Sequence, residues 1–318
     1  MKIWSALGAL TALALGAAAG ACSAGSRASF GGGSDDDGSG GHDGSGAHDG
    51  TGASGTGGSI GFDSGAGGGV SSPCSEESKL VYVVGVGNEL YSFYPPTLAL
   101  KQIGIIACPQ GGGLATPFSM AVARNDVAWV LFNDGRMYNV DIKSAACSAT
   151  GFVPNQVSGF SLFGMGFVSD TPGSNAETLY LGSYDGIGIA RLNLQTLGVE
   201  PVGSYDKVSG PAELTGTGEA RLFGFFLSDP EVVAEIDKST SKILSIAPQP
   251  SVEIGSAWAF AFWGGDFWLF TCPGMACTSS QIDRYRPADG TTVTVLQNAG
   301  LRIVGAGVST CAPVTPPK

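Results

Sequence analysis

One short pattern occurs five times between residues 90 and 289, and it restricts the fold more than any other feature of the chain. It reads apolar, two residues, apolar, three residues, then Thr, Ser or Asp. The copies are Leu90, Phe93, Thr97; Met137, Val140, Ser144; Ile189, Leu192, Thr196; Val233, Ile236, Thr240; and Ile282, Tyr285, Asp289. Successive starts lie 44 to 52 residues apart. Self-similarity at that period marks a radial or stacked array, whose units cannot bury an apolar face alone. Four short strands per unit match a propeller blade.

The turn chemistry agrees. In the second unit, strands are expected over 118–124, 127–132, 136–141 and 147–153, with Asn125-Asp126 and Asp134-Gly135 between the first three. Such pairs favour the positive φ angles of tight hairpins. Units three, four and five repeat the order with first strands starting near 164, 212 and 258, and no stretch carries a helical period. The first unit supplies only three strands, 80–85, 90–94 and 100–105, and 301–308 at the far end of the chain is the missing fourth. Setting it beside 80–85 closes a ring and removes open sheet edges. The expected fold is therefore all-β, a five-bladed β-propeller over 74–312 closed by the C-terminal strand, with 313–318 as a tail.

Residues 1–21 read as an export signal. Lys2 gives the positive start, Ile3–Leu15 the apolar stretch, and Ala19-Gly20-Ala21 a small-residue cleavage site. Cys22 follows directly, so the segment resembles a bacterial lipobox, although Ala19 stands where that family prefers Leu. The resemblance implies that Cys22 is lipidated and becomes the mature N-terminus, and that Ser23 directs the protein to the outer membrane. The alternative is ordinary cleavage and a soluble secreted form. Residues 22–73 are almost all Gly, Ser, Ala, Thr and Asp, too polar to offset ordering entropy, and are expected to form a disordered stalk. Such a linker spans about 40 Å root-mean-square. Asp35-Asp36-Asp37 and the doubled His-Asp-Gly at 42–44 and 48–50 are read as its solubilising charge, not as a metal site.

Seven cysteines are present. Setting Cys22 aside leaves Cys74, Cys108, Cys147, Cys272, Cys277 and Cys311, an even set in an exported chain, which suggests three disulfides. Cys311 follows the closing strand and Cys74 precedes its neighbour, so these two should lock the ring. Cys272–Cys277 would pin one loop. Cys108 and Cys147 remain by elimination, although the assumed strand directions put them at opposite ends of neighbouring blades.

Composition excludes several chemistries. The formal charge is −11, and without the first 73 residues it is −7, with no basic stripe to meet nucleic acid. Both histidines, His42 and His48, fall in the stalk, which removes Ser-His-Asp and Cys-His catalysis and His-ligated metal centres from the folded part. Gly85-Val-Gly87 and Gly216-Thr-Gly218 lack the rest of a nucleotide fingerprint, so no cofactor is expected. Paired carboxylates stay open, with Asp170, Asp185, Glu219, Asp229 and Asp266 on turns. The aromatic cluster Trp258, Phe260, Phe262, Trp263, Phe267, Trp268 and Phe270 alternates along two strands, which assigns most of it to packing between blades, with a sugar-stacking platform as the other reading. Small residues punctuate the first strands, at Ala121, Ala123, Gly164, Gly166, Ala259, Ala261, Gly305 and Gly307, where the axis is crowded.

The units, typified by Asp134-Gly-Arg-Met-Tyr-Asn-Val-Asp141, resemble the propeller repeats of quinoprotein-like (YVTN-like) bacterial proteins. Together with the lipobox, the stalk and stretches such as Ala259-Phe-Ala-Phe-Trp-Gly-Gly-Asp266, the chain resembles uncharacterised bacterial surface lipoproteins. The resemblance covers about residues 74–312, and its motifs are structural, so no catalytic residue carries over. The function expected is that of a non-catalytic, monomeric envelope lipoprotein, held to the membrane by its N-terminal lipid, whose propeller binds a protein, peptide or glycan. The binding surface is placed on the loops between blades and between second and third strands, with Tyr184, Asp185, Asp229 and Met275 as candidates. A carbohydrate-active enzyme using two carboxylates, and a structural protein without a ligand, are the alternatives.

Overall fold

The turn residues close tight hairpins because their chemistry suits positive φ. Asn88 and Asp126 adopt φ of 68° and 65°, a conformation that short polar side chains tolerate. The computed structural model describes residues 74–108 and 114–317. The leader, Cys22 and the stalk expected over 1–73 lie outside the described residues.

Strands β1 (Val81–Gly85), β2 (Glu89–Tyr94) and β3 (Ala99–Ile105) come first. They are followed by β4 (Pro117–Val122), β5 (Val127–Phe132), β6 (Met137–Asp141) and β7 (Cys147–Ala149). Next are β8 (Phe163–Ser169), β9 (Glu177–Ser183), β10 (Gly188–Leu192), β11 (Val199–Ser204), and then β12 (Ala212–Gly216), β13 (Leu222–Phe226), β14 (Val232–Ile236), β15 (Ile243–Pro248). The last are β16 (Trp258–Trp263), β17 (Asp266–Thr271), β18 (Gln281–Arg286), β19 (Thr291–Leu296) and β20 (Ile303–Val308). They form five antiparallel four-stranded sheets, and the chain is a five-bladed β-propeller. Four blades are consecutive; the fifth has the order β20-β1-β2-β3. There Val81 pairs with Val308 and Val83 with Ala306, so the C-terminal strand closes the ring as expected. The only helical segments among the described residues are two three-residue turns, Glu77–Lys79 and Pro95–Thr97.

The core is divided among the blade interfaces. Each of five apolar clusters draws on two neighbouring blades; one, for instance, joins Leu131 and Met137 of the second blade to Phe163 and Leu181 of the third. Inner strands are buried on both faces, whereas outer strands such as β3 and β15 expose most of their residues. Near the axis, backbones touch. A Cβ on Gly305 would stand 3.1 Å from the Met120 nitrogen, and one on Gly164 would stand 2.7 Å from Glu213 Cα. Glycine permits that approach, which accounts for the small residues on the first strands.

The repeated pattern also has a structural cause. Its last residue always precedes one with left-handed φ: Leu98 (56°), Ala145 (60°), Leu197 (57°), Ser241 (67°) and Gly290 (70°). In blades two to five, that residue's N–H donates to the carbonyl four residues back, on Asp141, Asn193, Asp237 and Arg286. One turn thus joins third and fourth strands in every blade, and in blades two and four it docks on the fourth strand of the blade before. A Cβ on Gly104 of β3 would lie 3.0 Å from Ala145 Cβ, and one on Gly203 of β11 would lie 2.6 Å from the Thr240 carbonyl.

That docking explains the least expected crosslink. All three disulfides, Cys74–Cys311, Cys108–Cys147 and Cys272–Cys277, are formed, with Cα separations of 5.6, 4.9 and 5.5 Å. Twist accumulates across a blade, so outer strands are not parallel to the axis. The turn at Ala145 therefore reaches the end of β3 and carries Cys147 to Cys108. β7 is also shorter than the 147–153 expected. Thr150 Oγ1 donates to the Met137 carbonyl at 2.7 Å and accepts from Phe152 N–H at 3.1 Å, which ends the ladder and turns Phe152 into the core.

Candidate functional site

The axis opens at the end of the propeller where the first strands begin. A cavity of ≈ 200 Å³ lies there, walled by Phe118, Tyr184, Glu213, Trp258 and Arg302, with Thr116, Asn133 and Ser256 at its edge. The walls come from all five blades, and several contacts join blades that are not neighbours.

Three aromatic rings meet across this mouth. Tyr184, after β9, lies edge-on to Phe118 with centroids 5.3 Å apart, and is stacked with Trp258 at 6.1 Å and an interplanar angle of 23°. Phe118 reaches this place through a bulge. Pro117 pairs with Phe132 and Ser119 with Leu131, leaving Phe118 as an extra residue, and bulges re-aim side chains in this way. Trp258 is the one member of the aromatic cluster to line the cavity. Phe260, Phe262 and Phe267 fill one interblade core, and Trp263, Trp268 and Phe270 another.

Glu213, on the innermost strand of blade four, is 3% exposed. It accepts a 2.8 Å hydrogen bond from the hydroxyl of Ser119 on blade two, across the axis. Burial pushes its carboxyl well above the ordinary value, and the single bond from Ser119 only partly offsets this. Glu213 is thus held neutral in a range where an exposed carboxyl is charged. Arg302 is half-buried; its Nη2 donates to the Ser256 carbonyl, and its backbone carbonyl accepts from Val86 N–H at 3.0 Å. Asn133 Oδ1 accepts from the Thr116 backbone N–H and its Nδ2 donates to Thr116 Oγ1, both at 3.2 Å.

The other end of the axis is bridged by side chains. Arg124 Nη1 donates to Thr310 Oγ1 at 2.9 Å, and the Thr310 hydroxyl donates to Glu177 Oε2 at 2.8 Å. Glu177 also accepts from the Arg124 backbone N–H at 2.8 Å; its burial still raises its pKa. Arg124 Nη2 lies 3.2 Å from Cys74 Sγ, beside the disulfide that locks the ring.

The expected surface residues divide. Tyr184 is part of the cavity wall, and Asp185 follows it, exposed, on the same loop. Asp229 borders a separate shallow cleft with Asp206, Lys207 and Pro230. Met275 projects alone from the Cys272–Cys277 loop, 94% exposed. The five turn carboxylates do not converge. Asp170, Glu219 and Asp266 sit where first strands end, opposite the cavity, whereas Asp185 and Asp229 lie on loops of different blades. Glu213, Ser119, Phe118 and Arg302 were not singled out from sequence. A glutamate within an otherwise small and apolar first strand, Ala212-Glu-Leu-Thr-Gly216, was the available signal.

Comparison with known proteins gives no family for the chain. No protein-family model and no curated protein matches the chain. Solved structures that match include one titled as the mitotic checkpoint complex, at 15% identity and a TM-score of 0.35, covering 72% of this chain and 63% of that one. Another is the extracellular domain of the hybrid two component system BT4673 from B. thetaiotaomicron, at 12% identity and a TM-score of 0.35, covering 69% of this chain and 26% of that one. The chain therefore spans less than two thirds of the length of either.

Proposed function

We propose that this protein is a lipid-anchored envelope receptor whose propeller holds a saccharide unit in the axial cavity without cleaving it. The observation that carries this reading is the group of Phe118, Tyr184 and Trp258 in one cavity wall with Glu213, whose carboxyl is fixed by Ser119. Sugars have one apolar face and a rim of hydroxyls, and aromatic walls with a few fixed polar groups suit both. The volume, smaller than the 300 Å³ or so of a drug-sized site, fits one ring rather than a chain. Glycoside hydrolysis uses two carboxyl groups on either side of the bond. The cavity wall brings one, Glu213, and that one is already bonded to Ser119.

The anchor is the part of the reading that rests on sequence: Cys22 after Ala19-Gly20-Ala21, whose lipid would hold the protein at the outer membrane. The likeness to quinoprotein-like surface lipoproteins supports the blades and the anchor, and supplies no ligand. In cells, Cys22→Ser should move the protein from the membrane fraction to the soluble one.

The test of ligand binding is a glycan array read with the purified protein and with Trp258→Ala. Retention of glycans that is lost in the variant, with no product released, supports a receptor. Equal retention by both proteins would place binding elsewhere. Sugar released by the wild type and not by Glu213→Gln would make it an enzyme.

A further inference from the structure

We infer that the saccharide held in the axial cavity is an acidic one, a hexuronate whose carboxylate docks on Arg302 while its ring lies against Trp258 and Tyr184. This rests on the receptor reading and names its ligand class.

Arg302 is the reason. Several cations on the blade surfaces have acidic partners, Arg136 with Asp134, Arg221 with Glu235, and Arg284 and Arg286 with Asp266, whereas Lys207, Lys238 and Lys242 donate to backbone carbonyls. Arg302 has no carboxylate within ion-pair distance among the described residues, although acidic residues outnumber basic ones beyond residue 73. Its one side-chain hydrogen bond is to the Ser256 carbonyl, and its buried Nε has no acceptor. The indole Nε1 of Trp258 is likewise buried without a partner. Unpaired buried donors are costly, and two of them belong to side chains lining one cavity. Neither finds an acceptor in the protein. The only carboxyl of the wall, Glu213, is turned to Ser119 across the axis. A guanidinium takes a carboxylate with paired, charge-assisted bonds. The stacked rings of Tyr184 and Trp258 offer a flat apolar face beside it, which a pyranose covers and an inorganic anion does not.

Calorimetric titration of the purified full-length protein with galacturonic and glucuronic acid, their methyl esters, and galactose tests this. The free acids should bind roughly tenfold or more tightly than their esters and galactose, as expected for a charged bond to Arg302. Arg302→Gln should remove that advantage and leave galactose unchanged. The ester comparison uses wild-type protein, so it decides the matter even where the variant misfolds. Equal affinities for acid, ester and galactose would overturn the acidic ligand and leave the receptor standing. Binding of none of them, with the wild type and Trp258→Ala giving the same result on the glycan array, would overturn both.

Discussion

Glu213 concentrates the physical chemistry of the site in one side chain. Below the ordinary glutamate value of 4.5, native and unfolded chains both hold the proton. As pH rises past it, the unfolded chain releases the proton and the native chain keeps it, so native stability falls until the native carboxyl titrates in turn. Glu213→Gln has no proton to release. Its melting temperature minus that of the wild type should grow in the variant's favour from about pH 4.5 upward. Subtracting one from the other cancels Glu177, whose raised pKa is common to both proteins. Parallel melting curves across that range would show that Glu213 is solvated and ionised like a surface residue.

The third-to-fourth-strand turn recurs in every blade, and in blades two and four it seats the blade on the one before. Gly104→Val should push β3 from the turn at Ala145, where even a Cβ comes within 3.0 Å of its neighbour. The cost expected is about 1–3 kcal/mol, as for overpacking elsewhere, read as a fall in the urea midpoint. Adding Ala145→Gly should recover part of it, and full additivity of the two changes would mean that they do not touch. This element was legible in the sequence because it is local: Asp141, Ser144 and Ala145 form a turn from their own atoms, and the pattern recurs wherever a blade does. Strand order and closure followed from that period. The Cys108–Cys147 link was reached by elimination alone, because it depends on how far twist rotates an outer strand. The cavity was less legible still. Its walls are single residues such as Phe118, Glu213 and Arg302, far apart in the chain and joined only when five blades surround an axis. Phe118 faces it because of a bulge that no short pattern announces.

At the scale of the whole molecule, stability depends on where the ring is sealed. Cys74–Cys311 joins residues 237 apart, and Cys272–Cys277 residues 5 apart. Chain entropy makes the first worth about 5.5 kcal/mol and the second about 2 kcal/mol. Replacing Cys74 and Cys311 by serine should therefore lower the guanidinium midpoint far more than the same change at Cys272 and Cys277. Equal losses would mean that β20 stays paired with β1 without help from the crosslink. Sealing also keeps the cavity in shape, since Arg302 precedes β20 and Trp258 begins β16. The tryptophans make the cavity directly observable. Trp263 Nε1 donates to the Lys79 carbonyl at 2.7 Å and Trp268 Nε1 to the Trp263 carbonyl at 3.2 Å, whereas the indole of Trp258 has no acceptor. In a ¹⁵N-labelled protein titrated with galacturonic acid, the Trp258 indole signal should shift and those of Trp263 and Trp268 should stay in place. A shift at Trp263 with Trp258 unmoved, or no indole shift at saturating sugar, would contradict a receptor built around this axis.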